Sequence, residues 1–130
     1  MATIRRDIPV AADPASVWDA VRDFGAVHER LVPGVLTSTE IDGDARVVTF
    51  ADGLRVREVI VAVDDDQRRL AYTVVGDLFD HHNASMQVED DGFGGAKIDW
   101  VTDLLPDSSA QMVAALVEQG AAAMQATLAE

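Results

Sequence analysis

The chain has 130 residues, 48% of them hydrophobic, so a single domain over 1–130 with one core is expected. Its net charge of -13 repels phosphate backbones and anionic headgroups, which argues against nucleic acid and membrane surfaces as partners, and the absence of cysteine excludes disulfides, thiolate metal sites and a cysteine nucleophile. Charge interrupts the N-terminus before any apolar run develops and no segment is long and apolar enough to span a bilayer, so no membrane insertion is expected and the cytoplasm is the default location.

Ile4, Ile8 and Val10 alternate loosely with charged neighbours and predict a first strand over 3–11. Asp13-Pro14 then starts a helix, because the Asp side chain can accept a bond from an unpaired N–H and Pro tolerates the first helical position. Val17, Trp18, Val21 and Phe24 recur at helical spacing, which predicts a helix over 14–24 that stops near Gly25. A short second helix around 26–31 is ended by Pro33-Gly34.

From Val35 to Leu104 the period is two, and strands are expected near 35–42, 45–51, 54–63, 68–75, 81–89 and 96–104. The clearest turn is Asp52-Gly53; as a two-residue turn it pairs Ala51 with Leu54 and puts Val47 opposite Glu58. The last helix begins after Pro106, with Asp107 or Ser108 as N-cap and Gln111 as the capping-box partner of Ser108. Met112, Leu116, Gly120, Met124 and Leu128 form one row flanked by Val113, Val117 and Ala121, a stripe that must be covered. An α+β domain follows, in which a curved antiparallel sheet places this helix across its concave side and tends to leave a cavity.

Two strand faces sort in the 45–63 hairpin. Arg46, Arg55 and Arg57 share one; Val47, Thr49, Leu54, Val56, Glu58, Ile60 and Ala62 share the other. The Glu58 face is expected inside, since three arginines cost more to bury than one carboxyl, although Val48, Phe50, Val59, Val61 and Val63 on the arginine face count against this. Glu58 is then a lone acid on an apolar surface, a candidate proton donor or ligand anchor; the structural alternative is a carboxyl bonded to a neighbour or to water. In the 81–104 hairpin His82, Ala84, Met86 and Val88 belong inside, as do Ile98, Trp100, Thr102 and Leu104. His82 and Trp100 become candidate cavity residues, against the alternatives of an edge-capping histidine and a core-filling tryptophan.

His81 and His82 point to opposite faces and cannot readily share an ion, and His28 joins His82 and Glu58 only if the fold brings them together, so no metal or other cofactor is expected. Ser85 and Ser108-Ser109 lie in no nucleophile elbow, Gly92-Phe93-Gly94-Gly95 sits between two strands as a turn, and Asp64-Asp65-Asp66 reads as a solvated turn. The methionine stripe suits core packing, with the adaptability a pocket for apolar ligands requires.

In this order of elements the chain resembles the START-like, birch-pollen-allergen-like helix-grip superfamily, particularly its bacterial polyketide cyclase/dehydrase and lipid-transport branch. The resemblance rests on Ala12-Asp13-Pro14 through Trp18, Asp23-Phe24-Gly25 leading to Pro33-Gly34-Val35, Arg46 before Asp52-Gly53, Glu58, Leu70-Ala71-Tyr72, and Ile98-Asp99-Trp100 running to Pro106. It implies a seven-stranded antiparallel sheet gripping the C-terminal helix, two short helices between the first two strands, and an apolar cavity. Members bind lipids, hormones or polyketide-like aromatics, and some promote cyclisation or dehydration. By position Glu58 and Tyr72 correspond to polar cavity groups and Trp18 to a packing residue. Where many relatives carry a Trp shortly before the Pro-Gly segment this chain has Leu31-Val32, with His28 earlier.

Three functional expectations follow. The first is an intracellular carrier or sensor of a small hydrophobic, cyclic or lipid-like molecule, with Glu58, Tyr72 or His82 orienting it and Val56, Met86, Trp100, Met112, Leu116 and His28 completing the site. The second is a cyclase or dehydratase in which Glu58 and a nearby His or Tyr transfer protons. The third is a partner module, such as a homodimer, that uses an exposed strand face.

Overall fold

Strands that bury alternate residues need a partner layer, and here the long C-terminal helix supplies it. The structure is a computed structural model and describes residues 1–129. Its elements are β1 (Ala2–Val10), α1 (Pro14–Arg22), α2 (Val27–Arg30), β2 (Leu36–Asp42), β3 (Ala45–Phe50), β4 (Arg55–Asp64), β5 (Arg69–Val75), β6 (His81–Asp90), β7 (Ala96–Leu105) and α3 (Ala110–Leu128). Short 3₁₀ turns at Phe24–Ala26 and Asp107–Ser109 lead into α2 and α3. The seven strands form one antiparallel sheet in the order β1-β7-β6-β5-β4-β3-β2. The first strand therefore pairs with the last, Ala2 opposite Leu104 and Val10 opposite Ala96. Among the described residues no helix is long and apolar enough to cross a membrane.

The helix α1 starts where its signals place it: the Ser16 N–H donates to the Asp13 carboxylate at 3.2 Å, and Pro14 takes the first helical position. It ends at Arg22, because Asp23 leaves the helical region, and Phe24 falls in the 3₁₀ turn instead of on the helix. Trp18 is buried and its indole N–H donates to Asp65 Oδ1 at 2.9 Å, an oxygen that also accepts from Arg22 Nε at 2.8 Å. The acidic turn between β4 and β5 is thus an anchor for α1 and not simply a solvated loop.

Along α3, Val113, Val117, Gly120, Ala121 and Met124 are buried. Gly120 lies against the Trp100 ring, where an added Cβ would come within 2.9 Å of the indole, so the tryptophan packs on bare helix backbone. The expected caps at Asp107 or Ser108 with Gln111 do not form. The chain enters α3 through a 3₁₀ turn without a side-chain cap, and the Asp107 carboxylate meets the N-terminal ammonium at 3.2 Å.

The β3–β4 hairpin differs from expectation by one residue. Its loop spans three residues, Ala51, Asp52 and Gly53: the Phe50 N–H donates to the Leu54 carbonyl at 2.8 Å, and the Gly53 N–H to the Phe50 carbonyl at 2.9 Å. Gly53 has φ +94°, a conformation that a side chain disfavours. Arg46 consequently faces Glu58 and Val47 faces Arg57. Since alternation has a period of two, that single step moves every β3 side chain to the other face. Arg46 is buried with Val48, while Val47 and Thr49 join Arg55 and Arg57 on the outer face. On β4 a register shift between Ile60 and Ala62 puts Ala62 opposite Ala71, on the outer face and not on that of Glu58.

Because Gly53 sets this register, Gly53→Ala is expected to destabilise the fold by about 1–2 kcal/mol. Urea unfolding of the two proteins measures the difference.

Candidate functional site

The inner faces of the central strands do not close completely on α3. A cavity of about 120 Å³ lies between them. Its wall is largely apolar, with Val48, Val56 and Met86 from the sheet and Val117 and Met124 from α3. Leu54, Leu78 and Met112 also line it and are exposed, which places its mouth between the β3–β4 loop, the β5–β6 connection and the start of α3.

Of the residues singled out from sequence, Glu58, Tyr72, His82, Trp100, Val56, Met86, Met112 and Leu116 all line this cavity. His28 does not. It sits on α2, with Nδ1 bonded to Thr39 Oγ1 at 2.9 Å and Nε2 3.2 Å from Glu29 Oε1. A four-residue helix has too little periodicity to reveal its inward face. Among the described residues no group of three or more His, Asp or Glu side chains is placed to hold a metal ion.

Arg46 is the polar cavity residue that sequence reasoning placed on the wrong side. Its Nε donates to Glu58 Oε1 at 2.7 Å, with side chains 4% and 12% exposed, so the acid is paired and not solitary. The guanidinium also lies 5.2 Å from the centre of the Tyr72 ring, and its Nη1 donates to the Phe24 carbonyl at 3.3 Å. The available signal was the run Arg46, Val48, Phe50: two large apolar side chains share the arginine's parity, so the face that buries them buries it.

Around this pair the remaining polar groups are ordered. Trp100 Nε1 donates to Tyr72 Oη at 3.2 Å. Burial, and next the charge of Glu58, push the Tyr72 hydroxyl far above the usual phenol range, so it stays protonated. His82 is buried at the start of β6, where its imidazole takes over from backbone pairing. The β5–β6 register stops at Tyr72 opposite Ala84, and beyond it the Val74 N–H donates to His82 Nδ1 at 3.0 Å while Thr73 Oγ1 donates to the His82 carbonyl. With Nδ1 accepting, the neutral ring carries its proton on Nε2. Burial lowers the His82 pKa from its ordinary value of 6.5, with Glu58 opposing and His81 adding to the depression. Phe79 stacks on the same ring at 5.1 Å, a neighbour that carries no periodic signal because it lies in the β5–β6 connection.

The whole chain, residues 1–130, matches the family model described as polyketide cyclase / dehydrase and lipid transport. None of the curated proteins matches it. Among solved structures it is similar to XoxI from Bacillus cereus, at 17% identity and a TM-score of 0.88 over 98% of this chain and 96% of that one. Ara h 8.0201 aligns at 19% identity and a TM-score of 0.76, covering 98% of this chain and 97% of its own. A Thalictrum norcoclaurine synthase point mutant, in complex with a transition state analogue, aligns at 19% identity and a TM-score of 0.73 over 98% of this chain and 93% of that one. At these identities the likeness is one of fold, the helix-grip arrangement of sheet and long helix.

Removing one member of a buried ion pair leaves an uncompensated charge, so Arg46→Met and Glu58→Leu are each expected to cost about 3–5 kcal/mol in urea unfolding. The double variant recovers a large part of that loss, and a double variant no more stable than either single one would contradict the pairing. His82 supplies a pH signature. Its folded pKa is lowered, so the associated stability is present above 6.5 and is lost as pH falls through the lower folded value. Between about pH 7 and about pH 5.5, His82→Gln should lose less stability than the unsubstituted protein.

Proposed function

We propose that this chain, which belongs to the polyketide cyclase/dehydrase and lipid-transport family, is an intracellular carrier or sensor that holds a small hydrophobic, cyclic or lipid-like molecule between its sheet and α3. The observation that supports this is the composition of the wall: apolar side chains on most of the surface, with the Arg46–Glu58 pair, Tyr72, His82 and Thr102 as the polar groups among them. Binding sites for small apolar molecules are built this way, the walls giving affinity and the few polar atoms fixing orientation. A cavity of about 120 Å³ favours a small guest, and Met86, Met112 and Met124 supply walls that can adjust to its outline. The cavity also favours a binding role over that of a partner module.

Glu58 has a different part from the one expected of a lone acid. Its carboxylate is engaged with Arg46, so it holds the wall together while Tyr72 and His82 orient the guest. The cyclase or dehydratase reading draws on one observation, the convergence of Glu58, Tyr72 and His82 on a single cavity. It is the second reading, since Tyr72 and the Nε2 of His82 both present protons and the one carboxylate nearby is bonded through Oε1 to the Arg46 guanidinium.

Native mass spectrometry of the purified protein, followed by titration with an environment-sensitive hydrophobic dye, tests the carrier reading. The expected result is a co-purifying small molecule or saturable dye binding. Leu116→Trp, which fills the space beside the mouth, should weaken binding at least about tenfold. Hydrophobic dyes and lipid extracts that never associate with the protein would remove the reading's basis.

A further inference from the structure

We propose that the β5–β6 connection, residues 76–80, is an acid-operated flap at the mouth of the cavity, held shut by the neutral imidazole of His82 and released when that ring takes up a proton. The proposal stands on how the connection is tied to the sheet and is independent of which guest, if any, the cavity holds.

Backbone pairing isolates the connection. β5 stays paired with β4 as far as Val75, but its pairing with β6 stops at Tyr72 opposite Ala84. Beyond that point the Val74 N–H donates to His82 Nδ1 at 3.0 Å, an imidazole nitrogen where a strand partner would offer a carbonyl. Gly76, Asp77, Leu78 and Phe79 make no backbone hydrogen bond to another described residue, and the next tie is the Asp80 N–H, which donates to the Leu105 carbonyl at 2.9 Å. Leu78 and Phe79 line the cavity, and Phe79 stacks on the His82 ring at 5.1 Å. One ring therefore joins the connection to the sheet twice, through an accepted hydrogen bond and through a stacked phenyl. Gly76, at φ +116°, gives the segment a pivot in a conformation that side chains disfavour.

Protonation reverses the first of these contacts. An imidazolium carries a proton on both nitrogens, so Nδ1 becomes a donor facing the donor of Val74, and the bond is lost. The bond from Thr73 Oγ1 to the His82 carbonyl does not titrate, so the strands stay while the ring and the segment stacked on it move. Burial favours the neutral ring, Glu58 on β4 favours the charged one, and His81 on β6 opposes it. Arg46 on β3 is bonded to Glu58, and Tyr72 on β5 is held protonated. β7 and α3 present only uncharged side chains to the cavity, and Asp77 and Asp80 in the connection are exposed. Opening hydrates the ring, so the open form binds the proton more tightly than the closed one. Acid therefore favours opening, with a gain that begins near the ordinary value of 6.5 and levels off at the lower value of the closed form.

Amide hydrogen exchange, read residue by residue by NMR and corrected for the intrinsic rate at each pH, follows the two ties directly. Between about pH 7 and about pH 5.5 the protection of Val74 and Asp80 should fall about fivefold, and about 1 M urea should leave that fall unchanged, because a local opening exposes little surface. The fall should level off where the His82 ring itself titrates, as read from its ring-carbon shifts in the same samples. His82→Asn, which keeps an acceptor near the place of Nδ1 but takes up no proton, should abolish the fall, whereas His81→Gln should keep it. Val74 and Asp80 amides that open only together with the β1–β7 ladder, or a fall that persists in His82→Asn, would overturn the proposal.

Discussion

The Arg46–Glu58 ion pair is the interaction around which this molecule is organised. It spans β3 and β4, lays a cation on the Tyr72 ring of β5, and reaches through Arg46 Nη1 to the backbone that leads into α2. Four separate pieces of chain are therefore held in register by one guanidinium. A buried pair contributes little net stability against an apolar replacement, because the cost of desolvating both ions offsets their attraction. What it does contribute is definition. A one-residue slip of β3 against β4 would turn Arg46 outward and leave Glu58 without its partner, so the three-residue loop at Ala51 to Gly53 and the pair select the same register.

The pair also explains why a largely apolar cavity can hold polar groups without a net charge. An isolated acid in an apolar wall would bind cations or take up protons, and an isolated arginine would recruit anions. Neutralising each other, the two leave weaker and more directional groups to face the cavity. The orientation of those groups is set from behind: Trp100 fixes the Tyr72 hydroxyl, and a backbone N–H fixes the His82 tautomer. The orientation of the cavity's polar groups is thus decided by their neighbours, one of them a backbone N–H.

Much of the fold was legible because apolar alternation and turn residues agree over long stretches. In β6 and β7 the inward sets His82, Ala84, Met86, Val88 and Ile98, Trp100, Thr102, Leu104 match the structure, since each strand presents one apolar and one polar face with no competing signal. The cap of α1 was legible for a similar reason: Asp13 and Pro14 act locally and need no tertiary partner. In β3 both faces carry apolar residues, so everything rested on the turn, and Asp-Gly suits a three-residue loop with Gly at positive φ as well as a two-residue one. Assuming that arginine stays outside then placed Arg46 wrongly, because the Glu58 partner that offsets much of its burial cost sits across the strand pair and not beside it in sequence. His28 and Phe79 escaped on other grounds, one on a helix of four residues and the other in an irregular connection, where side-chain direction follows from neighbours and not from spacing.

The pairing of β1 with β7 carries a consequence for synthesis. β1 is made well before β7, its partner in the sheet, so this edge of the sheet forms only once β7 has been made. Until then β1 has no strand partner, and closing so long a loop is entropically costly. The consecutive charges Arg5, Arg6 and Asp7 break up its apolar residues during that interval, and in the finished protein Arg5 pairs with Asp99 and Arg6 with Glu118. The residues that keep the nascent strand solvated are thus the same ones that clip it in place once the last strand and helix arrive.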